Sequence, residues 1–329
     1  MIEILATGAL TTVQDHGRRG ALKWGVGTSG ALDDLALAAG NILLGNDEHA
    51  ACIEIQIFPF RARFTAACAF AVTGADCQAL LDDVPLPPWW VQTARAGQVL
   101  SLRIPRQGPW HASRSYLCLA GGVDVPLVLG SRSTQLRGAF GGLEGRELRN
   151  GDTLRTGAAS SVARRTNFGL RPPALDLPLM VDDLPAVRVL PAAEYAHYSD
   201  AAHEALWNEA WRITPQSNRY GYRLQGPQLC PVAPIETRSH GIVPGVIQVP
   251  PNGQPIVQMR DAQPSGGYPK IGVVIEADLW RLGQAPIGSR VRFIKTSWSE
   301  AIAADEKNAE WLADARLLAD LYGERSGSR

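Results

Sequence analysis

Apolar residues recur at every second position in one stretch of the chain after another, the spacing of strands with one face buried. Residues 51–57, 63–73 and 98–104 alternate in this way, and 115–120 form a further apolar run that stops at Gly121-Gly122. In the second half, 186–190, 245–249, 255–259, 271–275 and 290–294 read as strands, with turn residues between nearly all of them. Helical spacing is rare. Leu32, Leu35, Ala39 and Ile42 share one stripe, which predicts a helix over 32–44 with Ser29 as its cap and Gly45-Asn46 as its stop. Ser297-x-x-Glu300 matches a capping box. The alanine-rich stretch after it, carrying Trp311, Leu317, Leu318 and Leu321, predicts an amphipathic C-terminal helix ending at Gly323. A short helix is expected around 200–207. The fold class is therefore mainly β with few helices.

Residues 157–185 break the pattern. They are rich in Ala, Ser, Arg and Pro and show no clear period. The expected organisation is an N-terminal β-rich domain over 1–156, a linker or loop over 157–185, a second β domain over 186–296 and the C-terminal helix over 297–322. Arg18-x-Gly20-x4-Gly25 is echoed by Arg219-x-Gly221-x4-Gly226, as two related β-units or chance would both produce.

Composition narrows the function. Lys+Arg and Asp+Glu are both 32, so the net charge is zero, which argues against a nucleic-acid binder that works by long-range attraction to phosphate. The longest apolar runs, such as 66–73, fall far short of the ~20 residues that a membrane span needs. Met1-Ile2-Glu3-Ile4 has no signal-type character, so a soluble cytoplasmic protein is expected. Glycine (33) and proline (23) exceed average usage without any repeat, as many turns between short strands require. The five cysteines include no C-x-x-C pair, so reduced thiols are expected and neither a disulfide framework nor a metal site is.

No phosphate loop of the G-x-x-x-x-G-K-[ST] type, no G-x-G-x-x-G, no H-E-x-x-H and no G-x-S-x-G occurs. The densest polar segment is 237–270. Asp261 and Gln263 follow an apolar strand, Ser265-Gly266-Gly267-Tyr268 forms a loop in which glycine tolerates positive φ, and Lys270 follows. An acid, an amide and a cation at one loop suit a small carboxylate or amide. The same residues also fit a plain hairpin with a solvated lysine and an aspartate turn cap. In 12–20, Gln14, Asp15, Arg18 and Arg19 sit beside two glycines, and Arg18 is placed either to hold an anion or to close a salt-bridged turn.

Gln14-Asp15-His16-Gly17-Arg18-x-Gly20, Ser29-Gly30-Ala31-x-Asp33, Gly45-Asn46, Thr73-Gly74-Ala75-Asp76, Ala120-Gly121-Gly122, Gly130-Ser131-Arg132-Ser133-Thr134, Asn218-Arg219-x-Gly221-Tyr222-Arg223-Leu224, Pro244-Gly245-x-x-Gln248-x-Pro250 and Asp261-x-Gln263-x-x-Gly266-Gly267-Tyr268-Pro269 occur in this order. With them the chain resembles the biotin-dependent carboxyltransferase family, also described as allophanate hydrolase subunit 2, from about residue 3 to residue 301. The resemblance is strongest to its 5-oxoprolinase branch. One departure is Asn218, where many relatives have Asp before the arginine.

The resemblance implies cyclophilin-like β-barrel units and a role as one of several chains. In the 5-oxoprolinase branch, a subunit-1-type chain (the B component) and a third chain (the A component) join it to open 5-oxo-L-proline to L-glutamate, with ATP as co-substrate. In urea carboxylase relatives the same unit moves a carboxyl group from biotin to an amide nitrogen. No Met-Lys-Met biotin-attachment site occurs here. A non-enzymatic alternative is antagonism of a kinase-inhibitor protein. On the main reading, Asp261, Lys270 and Arg219 are the expected catalytic residues. Gln14, Arg18, Gln248, Gln263, Gly266, Gly267 and Tyr268 are expected to bind substrate.

Overall fold

Seven of the strands close into a ring in the computed structural model, which describes residues 1–106, 112–158 and 168–326. Around the ring they run Leu184–Pro191, Lys270–Val274, Val246–Gln248, Ile256–Gln258, Gly221–Gln225, Ala210–Ile213 and Arg290–Lys295. The last pairs with the first in parallel, Val187 opposite Phe293, and every other pairing in the ring is antiparallel. Alternation fills the interior: Trp211, Tyr222, Leu224, Ile247, Val257, Ile271, Val291 and Phe293 are all buried. Asp278, fully enclosed, accepts from Arg188 Nη2 at 2.7 Å and Arg281 Nε at 3.0 Å and ties the short helix Leu279–Gln284 to the first barrel strand. The expected short helix is Asp200–Asn208, with Ser199 Oγ accepting from Ala202 N–H at 3.2 Å.

Residues 1–18, 29–176 and 309–329 form one compact unit, and 19–28 and 177–308 the other. In the first, a seven-stranded sheet and a five-stranded sheet share one apolar cluster that includes Ile2, Ile4, Phe60, Phe64, Ile53, Phe70 and Leu117. The helix Asp34–Leu44 covers the other face of the five-stranded sheet. This explains why strand Ser115–Leu119 is buried at every position. Helix and sheet approach so closely that a Cβ on Gly40 would stand 2.5 Å from Cys118 Sγ. The helix starts later than expected. Asp33, not Ser29, is its cap, accepting from Ala36 N–H at 2.9 Å, because Ser29, four residues upstream, has left-handed backbone at φ 53°.

The capping box forms as expected: Glu300 Oε2 accepts from Ser297 N–H at 2.8 Å, and Ser297 Oγ accepts from Glu300 N–H at 3.3 Å. The helix it starts runs Trp298–Ser326, past Gly323. Its buried seam is made of Ala304, Ala315 and Ala319 with half-buried Trp311, while Leu317, Leu318 and Leu321 are exposed. The apolar face expected from the leucines is therefore replaced by an alanine seam, which allows a closer approach. The expected linker lies partly outside the described residues, at 159–167. The arginine–glycine echo is not structural: Gly20 and Gly25 have φ of 85° and 75°, whereas Gly221 opens a barrel strand and Gly226 follows it, neither with left-handed backbone. Among the described residues no helix is long and apolar enough to cross a membrane.

Candidate functional site

The strand Ile256–Gln258 leads into a segment held against residues 219–220: Met259 N–H donates to Tyr220 C=O at 3.0 Å and Asp261 N–H to Arg219 C=O at 2.9 Å. That registers the two side chains. Arg219 Nε donates to Asp261 Oδ2 at 2.8 Å and Nη2 to Oδ1 at 3.0 Å, a bidentate pair with side-chain exposures of 2% and 0%. Asn218 takes the acceptor role open to it without charge, its Oδ1 receiving Tyr220 N–H at 2.8 Å. The pair is enclosed and buttresses the segment that follows the strand against residues 219–220.

The Gly-Gly-Tyr-Pro turn comes next in the chain. Ser265–Gly266 forms a two-residue ladder with His240–Gly241. Neither Gly266 nor Gly267 has positive φ, so the expected reason for glycine is replaced by close approach. A Cβ on Gly266 would lie 2.6 Å from Gln248 Nε2 and one on Gly267 3.1 Å from Ser239 Oγ. The Thr237 hydroxyl donates to Gly267 C=O. Gln248 and Lys270 face each other across adjacent strands, and both reach the same carbonyl, that of Tyr268: Lys270 Nζ donates at 2.9 Å and Gln248 Nε2 at 3.5 Å. Gln258 Nε2 holds Gln248 Oε1 at 3.0 Å. Burial pushes the Lys270 ammonium below its ordinary pKa, and the Glu194 carboxylate opposes that shift. Glu194 Oε2 also accepts the Lys270 N–H at 3.2 Å. Tyr268 is about half exposed, and Gln263 is exposed.

Beside the turn opens a cavity of about 670 Å³, lined by Gly267, Tyr268, Tyr198, Arg238, Asn252 and Cys230 among others. Arg219, Asp261 and Lys270 are not among its lining residues.

Gln14 and Arg18 belong to the first unit. Gln14 is fully buried and donates to Thr12 Oγ1 at 2.9 Å and Thr134 C=O at 3.3 Å. Arg18 is also buried. It donates to Val128 C=O at 3.3 Å and to Ser133 C=O, and it lies 4.8 Å from the Phe140 ring centroid. Asp15 is the hub of that turn: Oδ1 accepts from Ser131 Oγ and Ser133 Oγ at 2.6 Å and from Gly17 N–H at 2.8 Å. These contacts latch Gln14 to Arg18 onto the 128–142 loop, where Arg18 Nε and Nη2 donate to main-chain carbonyls.

Sequence reasoning missed Glu194, which lies 76 residues from its lysine in an unremarked loop, and Arg238, which motif reading passed over.

A closed barrel of seven strands defines a class, and the comparisons agree. The description "Carboxyltransferase domain, subdomain A and B" matches residues 24–295, and the chain belongs to that family. It is 43% identical over 310 residues to the C subunit of 5-oxoprolinase from Escherichia coli (strain K12), covering 92% of this chain and 94% of that one. It is 41% identical over 320 residues to the protein of the same name from Haemophilus influenzae, covering 97% and 99%. The crystal structure of the K. lactis urea amidolyase superposes with a TM-score of 0.85 at 27% identity, over 95% of this chain and 20% of that one. For TTHA0988 the TM-score is 0.75 at 30% identity, over 89% and 55%.

Proposed function

We propose that this chain is one component of an ATP-dependent 5-oxoprolinase, inactive alone, that opens 5-oxo-L-proline to L-glutamate together with the A and B components. The near-full-length identity of 43% to the C subunit of a 5-oxoprolinase carries this reading. The site supplies what a lactam needs. An amide carbonyl is a poor electrophile, and developing charge on its oxygen is stabilised by a preorganised cation. Lys270 spends one of its three N–H donors on Tyr268 C=O and has two more to offer. Arg219 and Asp261 fix the segment that leads toward the turn carrying Tyr268, Gln248 steadies the Tyr268 carbonyl, and Gly266 and Gly267 permit close approach of their neighbours. ATP enters this proposal as the co-substrate of the whole assembly.

Mixing the three purified chains tests the proposal. ATP hydrolysis dependent on 5-oxo-L-proline and matched by glutamate formation is expected, and no stimulation above the two-chain background refutes it. Lys270→Met should lower turnover by about 10²–10³ if its cation meets the developing oxyanion. Retention of most activity removes Lys270 from the chemistry. A carboxyltransferase reading is favoured by the 30% identity to urea amidolyase of Lachancea kluyveri over 96% of this chain. Transfer of a carboxyl group from a biotin carrier to urea would establish it.

A further inference from the structure

We infer that the cavity beside Tyr268 receives a small carboxylic acid and that Arg238 grips its carboxylate. The identity of that acid as 5-oxo-L-proline rests on the proposed function; the acid-binding site itself does not.

The cavity, about 670 Å³, lies in the size range of small-molecule sites. Its walls are tied before any ligand arrives. Leu229 N–H donates to Gly253 C=O, Gly253 N–H to Pro250 C=O and Val249 N–H to Pro269 C=O, each at 2.9 Å, and Thr237 is bonded to Gly267. Prolines 231, 234, 250, 251 and 269 line it with fixed φ. Arg238 lines this wall, and its main-chain carbonyl accepts from His240 Nδ1 at 2.9 Å. Among the described residues no carboxylate lies within ion-pairing distance of its guanidinium. The planar fork of an arginine matches a carboxylate bidentately. Glu236, Gln228 and Asn252 complete the lining with an acceptor and two amides.

This set complements two groups of 5-oxo-L-proline, Arg238 for the carboxylate and Glu236 for the lactam N–H, and leaves the ring carbonyl to Lys270, whose Nζ lies 2.9 Å from the carbonyl of the lining residue Tyr268. Urea offers the N–H and C=O groups but no carboxylate. Arg238 is then the residue that separates an acid substrate from a neutral amide.

Cys230 supplies a reporter. It lines the same cavity and is exposed, whereas Cys52, Cys68, Cys77 and Cys118 are buried. The rate of Cys230 alkylation by iodoacetamide is measured by mass spectrometry in the three-chain assembly and in this chain alone. Millimolar 5-oxo-L-proline should slow it, and 2-pyrrolidinone, the same ring without the acid, should not. Arg238→Met should abolish the protection and Arg238→Lys restore part of it. In turnover, Arg238→Met should raise KM for 5-oxo-L-proline by about 10- to 100-fold, the size of a lost charged hydrogen bond, with kcat within about threefold. Equal protection of wild type and Arg238→Met, or turnover by wild type with no protection in either preparation, overturns the inference while leaving the functional proposal intact. Protection that depends on Arg238 without any turnover overturns the functional proposal and supports the acid site.

Discussion

Replacing Asp261 by alanine leaves the Arg219 guanidinium enclosed without its carboxylate. Two hydrogen bonds, at 2.8 and 3.0 Å, are lost from a pair whose side chains are 2% and 0% exposed. Removing one partner of such a pair costs about 3–5 kcal/mol, chiefly because the other charge stays buried. At about 2–4 °C per kcal/mol for a unit of this size, the melting transition of the barrel unit should fall by roughly 6–20 °C. Differential scanning calorimetry of the isolated full chain measures this directly. The double variant Arg219→Met/Asp261→Leu removes both charges and replaces them with apolar volume, so it should recover at least half of the loss. The two results together separate an enclosed pair from a solvated one. A loss under about 1 kcal/mol for Asp261→Ala, as exposed pairs show, refutes the buttress. So does a double variant no more stable than the single one.

Other outcomes follow from the same geometry. Burial holds the Lys270 pKa in the folded chain below its ordinary 10.5. The unfolded chain therefore binds more protons between the two values, and folding stability gains with rising pH across that window. Lys270→Met should remove this gain, as denaturant titrations from neutral pH to pH 10.5 will show; an unchanged slope contradicts it. Asp33→Ala should cost about 0.5–2 kcal/mol by urea unfolding through loss of the helix cap, and Asp33→Ser should retain most of it, whereas Ser29→Ala should leave the cap intact. Gly141→Ala combines φ of 70° with a Cβ 2.1 Å from Ser133 C=O, so it should destabilise the first unit by more than about 1 kcal/mol and release the Arg18 latch.

The strands of the barrel were legible because their apolar residues alternate. The expected 271–275 and 290–294 became Lys270–Val274 and Arg290–Lys295. Local signals with two reciprocal partners were also legible, as Ser297 and Glu300 show. The helix cap was not: Ser29 was the cap expected, but its left-handed backbone takes it out of that role, and Asp33, inside the expected helix, caps it instead. The C-terminal helix misled for a related reason. Leucine outranks alanine in any apolar pattern, yet a close seam selects the small residue. At the site, Arg219, Asp261 and Lys270 were each conspicuous by residue type. Their pairing was not, since Arg219 and Asp261 lie 42 residues apart. Glu194 meets Lys270 only through the pairing of Leu184–Pro191 with Lys270–Val274, far apart in sequence, and Arg238 has no motif around it.

The parallel seam that shuts the barrel has a consequence for how the protein is made. Val187 and Phe293 meet there although more than a hundred residues separate them. The ring stays open until the last strand has been synthesised, and its closure is among the most non-local events in folding, which slows it. Until then Leu184–Pro191 and Ala210–Ile213 present raw edges to any neighbouring chain. A chain cut short before residue 290 keeps those edges for good and is a template for aggregation.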